Sequence, residues 1–167
     1  MKKVFAFVVM AVMFAACNTN TPENPEEQKK EEFAKATFFE VIGTNKVPSE
    51  SYTQDSVRAE AFVKEGNIVS INLYGVGFSA RMPLTIDMTI DSISSTRTAD
   101  RIILSAETVI PTMGGKPFNR YPVVNLNGYI SADSLVFTNN YGTYENCSFA
   151  GKVIRMEEQS TVINANE

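Results

Sequence analysis

The alternation of apolar and polar positions along the chain is clearest between residues 84 and 91. Leu84, Ile86, Met88 and Ile90 share one face of an extended chain, and Thr85, Asp87, Thr89 and Asp91 share the other. A period of two residues is typical of a β-strand that buries one face, because successive side chains of a strand point to opposite sides. The segment therefore predicts a strand with its apolar face in a core and its aspartates in solvent.

Seven other segments are rich in β-branched and aromatic residues and are bounded by turn formers, which is typical of strands. They cover residues 38–42, 57–63, 68–74, 101–108, 123–130, 134–138 and 145–154. The connections are short, and no pattern of a long crossover helix lies between the segments. We therefore predict an all-β fold of about eight antiparallel strands in an up-and-down, lipocalin-like barrel, which leaves no exposed sheet edge. A two-sheet β-sandwich is the alternative.

The two ends of the chain differ from the strand-rich part in composition. Residues 1–16 begin with a lysine pair after Met, continue in a short apolar run and end in small residues, which is typical of a secretory signal peptide. Residues 17–36 are rich in Asn, Thr, Pro, Glu and Lys and predict a flexible polar tether. The β-barrel domain is then expected over residues 37–155, and a polar tail over 156–167.

A cysteine directly follows the predicted signal peptide. The sequence FAAC at 14–17 resembles the lipobox of bacterial lipoproteins, in which the signal is removed and the cysteine is acylated. The resemblance implies a lipid on Cys17 that holds an exported protein in the cell envelope, at the outer membrane and either periplasmic or surface-exposed. With Cys17 acylated, Cys147 has no intrachain disulfide partner, and we expect it to be a buried, inert thiol.

Charge and composition narrow the classes of function. The net charge is −4 at pH 7 and becomes more negative once the signal lysines are removed, so no nucleic-acid partner is expected. The chain has no His, which excludes His-dependent nucleophiles and His-bearing zinc sites. Asp87 and Asp91 lie about 13 Å apart along one strand face, too far to share a calcium ion or flank a glycosidic bond. We therefore expect a protein that is not an enzyme, with no cofactor and no metal.

The barrel segments resemble a known family through loose strand-and-turn patterns. These are FSARMPLTIDM at 78–88, YI at 129–130, SLVF at 134–137 and SFAG at 148–151. They resemble the calycin-like (lipocalin-like) β-barrel lipoproteins of Bacteroides-group bacteria. The resemblance implies a lipocalin-shaped barrel and little about activity. Because the chain has no Trp, the Gly-x-Trp signature of true lipocalins is missing, and their ligand chemistry is not implied.

Three Asp-Ser pairs are each followed by an aliphatic residue, and their serines are Ser56, Ser92 and Ser134. This pattern resembles the O-glycosylation motif that the same bacterial group uses on exported proteins, with Ser as the acceptor. Asp and Ser are also ordinary turn residues, and all three pairs lie at the ends of predicted strands. Glycosylation and turn formation are therefore both open interpretations.

A long loop leads into an aromatic and basic segment, which is typical of a contact surface. The candidate contact residues are Phe118, Arg120 and Tyr121, together with Tyr141 and Tyr144. Two hypotheses for function follow. The first is a non-enzymatic, lipid-anchored barrel that binds a small apolar ligand in its interior. The alternative is an envelope interaction module whose loops contact a protein partner or a glycan.

Overall fold

The fold is known from a computed structural model, which describes residues 24–158. The elements in chain order are α1 (Pro25–Lys35), β1 (Ala36–Val47), the 3₁₀ turn Pro48–Glu50, β2 (Tyr52–Lys64), β3 (Ile68–Val76), β4 (Ile86–Arg97), β5 (Arg101–Val109), β6 (Thr112–Met113), β7 (Lys116–Pro117), β8 (Val123–Ser131), β9 (Ser134–Tyr141) and β10 (Tyr144–Glu158). The predicted signal peptide and the predicted lipidation site Cys17 lie outside the described residues.

Eight of the strands close into one antiparallel barrel, in the order β1-β2-β3-β4-β5-β8-β9-β10. The pairing of β1 with β10 closes the sheet, so no edge of the barrel is left for pairing with another chain. The short strands β6 and β7 form a hairpin on the side of β4, where Thr112 pairs with Thr89. The eight predicted strand segments fall in these eight strands, and the predicted all-β, lipocalin-like barrel is confirmed.

Bulges interrupt the alternation of inward and outward side chains. At four of the register shifts between strands, a residue other than glycine has a positive φ, namely Ser56 (60°), Ser92 (59°), Asn125 (55°) and Asn146 (55°). The extra residue of a bulge exchanges the two faces of its strand. In β4, Ile90 and Ile93 lie three positions apart, and a regular strand would place them on opposite faces. Because of the bulge between them, both are 0% exposed.

Apolar side chains from all eight barrel strands fill the interior as one cluster. Its largest members are Phe39, Ile71, Leu73, Phe78, Met88, Ile90, Ile93, Ile102, Leu104, Phe137, Tyr141 and Phe149. The rings of Phe137 and Phe149 stack across β9 and β10 with their centroids 5.3 Å apart. Removal of this apolar surface from water is the main favourable contribution to folding, since the described part of the chain holds no disulfide.

Helix α1 corrects the prediction that residues 17–36 form a flexible tether. Asn24 caps the helix, because its side chain accepts a hydrogen bond from the Glu26 amide at 3.2 Å. One apolar residue docks the helix on the barrel: Phe33 is 2% exposed, and its ring centroid lies 5.9 Å from that of Phe39. The tether can therefore include at most the residues before Asn24, which lie outside the described residues.

Arg97, the last residue of β4, holds the carboxyl end of this helix. Its guanidinium donates hydrogen bonds to the carbonyl oxygens of Phe33, Ala34 and Ala36, at 3.3, 3.0 and 3.3 Å. The last carbonyl groups of a helix have no partner within the helix, and a cation close to them is also favoured by the helix dipole. A helix with a single buried apolar residue is thus fixed to the barrel by polar contacts as well.

Two predicted boundaries are also wrong. Leu84 was assigned to the apolar face of a strand, but it precedes β4 in a loop and is 77% exposed. The partly buried Ile86 begins the strand, and Met88 and Ile90 are buried as predicted. The strand β10 continues to Glu158 because its end pairs with Ala36, so the first residues of the predicted polar tail are part of the sheet.

The two ends of the barrel differ. At the helix end, α1 covers the turns β4–β5 and β8–β9 and leaves a groove of about 240 Å³ that includes Phe33, Ala99 and Ala132. The opposite end, which we call the mouth, carries two longer connections, residues 77–85 and 110–122, which we call the rim loops. Within residues 24–158, no helix combines the length and apolar character needed to cross a membrane.

Candidate functional site

Five aromatic side chains meet at the mouth and form what we call the aromatic cluster: Phe78, Phe118, Tyr121, Tyr141 and Tyr144. The ring centroid of Phe78 lies 4.5 Å from that of Tyr141, 5.6 Å from that of Tyr121 and 5.9 Å from that of Tyr144. Tyr121 stacks on Tyr144 at 5.8 Å and meets Phe118 edge-on at 5.2 Å. Pairs at these separations attract one another beyond their burial of apolar area, so the cluster closes the mouth of the barrel.

The structure gathers the predicted contact residues at this one place but changes the role of one. Phe118, Tyr121 and Tyr144 are partly buried, and the exposed Arg120 lies with its guanidinium carbon 5.4 Å from the Tyr121 ring centroid. Tyr141, however, is 0% exposed and points into the barrel, so its prediction as a surface contact is wrong. The alternation of β9 places it on the same face as the buried Phe137.

Phe78, the central ring of the cluster, was not among the predicted site residues. It follows the end of β3 in a rim loop, where an isolated aromatic residue gives no sequence signal for its direction. Polar contacts to β1 and β2 hold that loop. The Asn45 amide nitrogen donates to the Gly77 carbonyl at 2.8 Å, and the Gly77 amide donates to the Gln54 side-chain oxygen at 2.9 Å. The Ser79 hydroxyl donates to the Glu50 carboxylate at 3.1 Å.

Tyr141, the innermost ring of the aromatic cluster, is also one of three buried side chains with polar groups in an otherwise apolar interior. We call Asn45, Asn139 and Tyr141 the buried polar group, and their exposed fractions are 0%, 3% and 0%. Within the described part of the chain, no hydrogen-bond partner reaches Asn45 Oδ1, either polar atom of the Asn139 amide or the Tyr141 hydroxyl. Each such atom costs about 1–3 kcal/mol when it is left without a partner away from water.

Burial determines the ionisation state of these groups. It raises the pKa of Tyr141 well above its usual range; the neighbouring Cys147 adds to the rise, and the nearby Asn139 side chain opposes it. Burial also raises the pKa of Tyr144, and Tyr121 and Glu50 add to it. The hydroxyls of Tyr141 and Tyr144 are therefore neutral hydrogen-bonding groups at physiological pH.

Cys147 borders the buried polar group, opposite Asn139 in the register of β9 and β10. It is 0% exposed, and its thiol lies 3.4 Å from the carbonyl oxygen of Tyr144. Burial raises the pKa of this thiol to about 11, so the thiolate that would be the nucleophile is scarce at neutral pH. This environment is that of the inert thiol that we expected.

The three Asp-Ser serines occupy two kinds of site. Ser56 and Ser92 are exposed at β-bulges, whereas Ser134 begins β9 and is partly buried. The Ser134 hydroxyl donates to Asp133 at 2.9 Å, as the Ser131 hydroxyl does at 2.7 Å. Formation of bulges and turns is thus a sufficient structural role for the three pairs, and two of the three serines are also accessible to a modifying enzyme.

The described residues contain no group of three or more His, Cys, Asp and Glu side chains that is able to hold a metal ion. Comparisons of the chain with protein-family models, with curated proteins and with solved structures found no match. The chemistry of the mouth is therefore the basis for a functional proposal.

Proposed function

We propose that this chain is a non-enzymatic, lipid-anchored binding protein of the bacterial cell envelope. Its ligand would be a small, mostly apolar molecule that carries one neutral hydrogen-bonding group. The observation that carries the proposal is the buried polar group, whose three side chains have unpartnered atoms at the inner side of the aromatic cluster. Such atoms are usually hydrogen-bonded in proteins, and a ligand with a polar end supplies partners for them.

The composition of the interior limits the chemistry of this ligand. Asn45, Asn139 and Tyr141 are neutral donors and acceptors, and the neighbouring Cys147 thiol is neutral as well. A buried carboxylate needs a cation or several donors, whereas a hydroxyl, an amide or a neutral aryl amine needs only one or two hydrogen bonds. The site therefore favours a neutral polar end over an acid, and apolar surface for the rest of the molecule.

Entry of a ligand requires the aromatic cluster to move, because side chains already fill the interior. Phe118, Tyr121 and Phe78 lie on loops, which open at lower cost than strands do. We expect a ligand to displace rings of the mouth and to reach only the layer of the interior next to them.

The membrane anchor and the envelope location rest on the sequence around Cys17. Its resemblance to a lipobox and the family resemblance of residues 78–88 support an exported lipoprotein of the calycin-like kind. The exposed Ser56 and Ser92 are the better candidates for O-glycosylation, since Ser134 is partly buried.

The ligand proposal is tested with N-phenyl-1-naphthylamine, a neutral apolar dye with one N–H donor. The titrated protein is the chain from Asn18 onward, which retains the whole described core. We expect saturable fluorescence enhancement, and about tenfold weaker binding for Tyr141→Phe and Asn139→Leu, because each loses about one hydrogen bond to the ligand. Tyr74→Phe is the matched control, since its hydroxyl donates to Glu60 at 2.6 Å on the outer face.

Absence of saturable binding, or equal loss in Tyr74→Phe, would overturn the proposal. Native mass spectrometry of the protein from its own kind of cell adds an independent measurement. A mass that denaturation releases identifies the natural ligand.

An interaction module is the second candidate function. It is favoured by the exposed aliphatic side chains of the rim loops, of which Leu84 is 77% exposed. The aromatic residues first predicted as its contacts, by contrast, pack mainly against one another, so a protein partner or glycan would meet chiefly the aliphatic and basic side chains.

A further inference from the structure

The rim loops expose large aliphatic side chains at the mouth. Leu84 is 77% exposed, Ile110 42% and Met113 40%. Contact between Phe78 of one rim loop and Tyr121 of the other, at 5.6 Å, holds the two loops side by side. The rim therefore carries several protruding apolar groups that contribute nothing to the core.

The same loops are basic in an acidic chain. Residues 77–85 and 110–122 contain Arg81, Lys116 and Arg120 and no Asp or Glu, although the whole chain has 19 acidic and 15 basic residues. All three cations are exposed, and within residues 24–158 none of them forms an ion pair. The nearby Glu50 carboxylate accepts a hydrogen bond from the Ser79 hydroxyl at 3.1 Å and forms no ion pair with these cations.

Acidic side chains at the mouth lie beside the rim loops and not on them. They are on the 3₁₀ turn and near the ends of the strands, at Glu50, Asp87, Glu107 and Glu145. At the helix end, acidic and basic side chains alternate along α1, where Glu31 pairs with Lys35 at 2.7 Å. The rim loops are thus a local basic segment at the tip of the molecule.

We infer that the rim loops dock on an anionic lipid surface, with Leu84, Ile110 and Met113 among the headgroups and Arg81, Lys116 and Arg120 on the phosphates. Protruding aliphatic groups next to basic ones suit the lipid interface, which offers apolar depth and negative charge and demands no matching shape. The hairpin tip at Gly114 and Gly115 protrudes freely, since no atom lies within 4 Å of an added Cβ at either position.

A patch of this size binds a membrane weakly, and here the inference rests on the proposed lipid on Cys17. A tether raises the effective concentration of the patch at the surface, so a weak contact is enough to orient the barrel. The chain from Cys17 to Asn24 extends at most about 25 Å, and the tilted barrel strands rise roughly 30 Å. An inclined barrel therefore brings the mouth to the membrane, where a ligand enters directly from the lipid.

The test is flotation of the chain from Asn18 onward, which carries neither the signal nor Cys17, with lipid vesicles. We expect co-flotation with phosphatidylcholine vesicles that contain about one third phosphatidylglycerol, and little with pure phosphatidylcholine. Raising the salt from about 0.05 M to about 0.5 M should release the protein, because it screens the cations. The triple variants Leu84→Ser/Ile110→Ser/Met113→Ser and Arg81→Gln/Lys116→Gln/Arg120→Gln should each bind about tenfold less.

The matched control is Ile42→Ser/Ile103→Ser/Ile154→Ser, which removes three aliphatic side chains that are 36%, 42% and 59% exposed on the outer faces of strands. The inference fails if neither vesicle binds, if the control loses binding as strongly as the rim variant, or if only the cations matter. The last result, with equal binding to heparin, would indicate a soluble anionic polymer. Circular dichroism of each variant confirms folding.

The anchor is tested separately by mass spectrometry of the amino-terminal peptide of the protein from its own kind of cell. A diacylglyceryl mass on Cys17 supports the anchor. Vesicle binding by the unlipidated chain, together with an unmodified Cys17 in cells, would leave the rim surface standing and overturn the anchor.

Discussion

Residues with a positive φ form the bulges that shape the strands. Ser56 and Ser92 have φ of 60° and 59°, a region that glycine adopts freely and other residues enter at a cost. In β4, the Asp91 carboxylate offsets part of this cost, because it accepts the Ser92 amide at 2.7 Å and the Lys64 ammonium at 2.9 Å. Hydrogen bonding by Lys64 lowers the pKa of Asp91. An Asp-Ser pair thus stabilises this bulge, because Ser92 adopts the positive φ and Asp91 accepts the hydrogen bond of its amide.

Substitutions at Ser92 test this explanation. We expect Ser92→Gly to raise the free energy of unfolding by about 0.5–1 kcal/mol and Ser92→Val to lower it by about 1–2 kcal/mol, because a β-branched residue is disfavoured at positive φ. Urea denaturation measures both. Ser94, which is also exposed on β4 but has no positive φ, is the control. At this position the Val variant should be more stable than the Gly variant. The same order at both positions would contradict the explanation.

At the scale of elements, α1 is a short helix that depends on the barrel. It is polar on most of its surface, and a helix of this length is marginal by itself in water. Phe33 and Arg97 supply the tertiary contacts that stabilise it, and the Arg97 guanidinium also lies 5.8 Å from the centroid of the Phe33 ring. The helix is therefore the part of the fold that opens most easily.

Arg97→Met should detach this helix without unfolding the barrel. The variant loses three hydrogen bonds to α1, and we expect the helix to be destabilised by about 2 kcal/mol, since hydrogen bonds to a charged group are worth more than neutral ones. Amide hydrogen exchange should rise about thirtyfold over Pro25–Lys35 and stay unchanged in β8 and β9. Arg101→Met, which removes an exposed ion pair with Asp100, should leave the helix unaffected. Uniformly faster exchange would show that α1 is part of the barrel's folding unit.

At the scale of the molecule, the absence of His and the burial of Tyr141 and Cys147 determine how stability depends on pH. No side chain with an ordinary pKa ionises between about pH 5 and 8, because the chain has no His. The free energy of unfolding should therefore be nearly constant in that range. Above that range the buried acids matter. Burial raises the pKa of Cys147 from 9.0 to about 11, and the folded state therefore retains a proton that the unfolded state has lost.

This difference in proton binding lowers the free energy of unfolding as pH rises. The stabilisation is present below pH 9 and is lost as the pH rises through 11, and Tyr141 adds to the loss at still higher pH because burial raises its pKa too. Urea denaturation between about pH 7 and 11 should show the decline, with a shallower slope for Cys147→Ala whatever its stability at pH 7. An unchanged slope in that variant would exclude the thiol as a cause.

Much of the fold followed from patterns within single strands, and the misses share one physical reason, which is that strand pairing acts between distant segments. Alternation predicted where the strands lie, but the pairing of strands determines where each strand ends and where a bulge exchanges inward and outward positions. Tyr141 and Asn139 lie beyond the predicted strand end at residue 138, and Asn45 lies beyond that at residue 42, so their burial was not predicted; in the structure β9 and β1 continue through them in register with β10. The helix was missed because its stability comes from Arg97, which lies far along the chain from Phe33.

The sequence by itself determined the strand segments, the all-β class and the candidate aromatic residues, because these depend on local alternation and side-chain chemistry. Only the tertiary structure decided which aromatic rings meet, that three buried side chains carry unpartnered polar atoms there, and that aliphatic and basic side chains share the rim of the mouth. Those features depend on how distant strands pair and on how the barrel closes, and closure of the sheet is a property of all eight strands together.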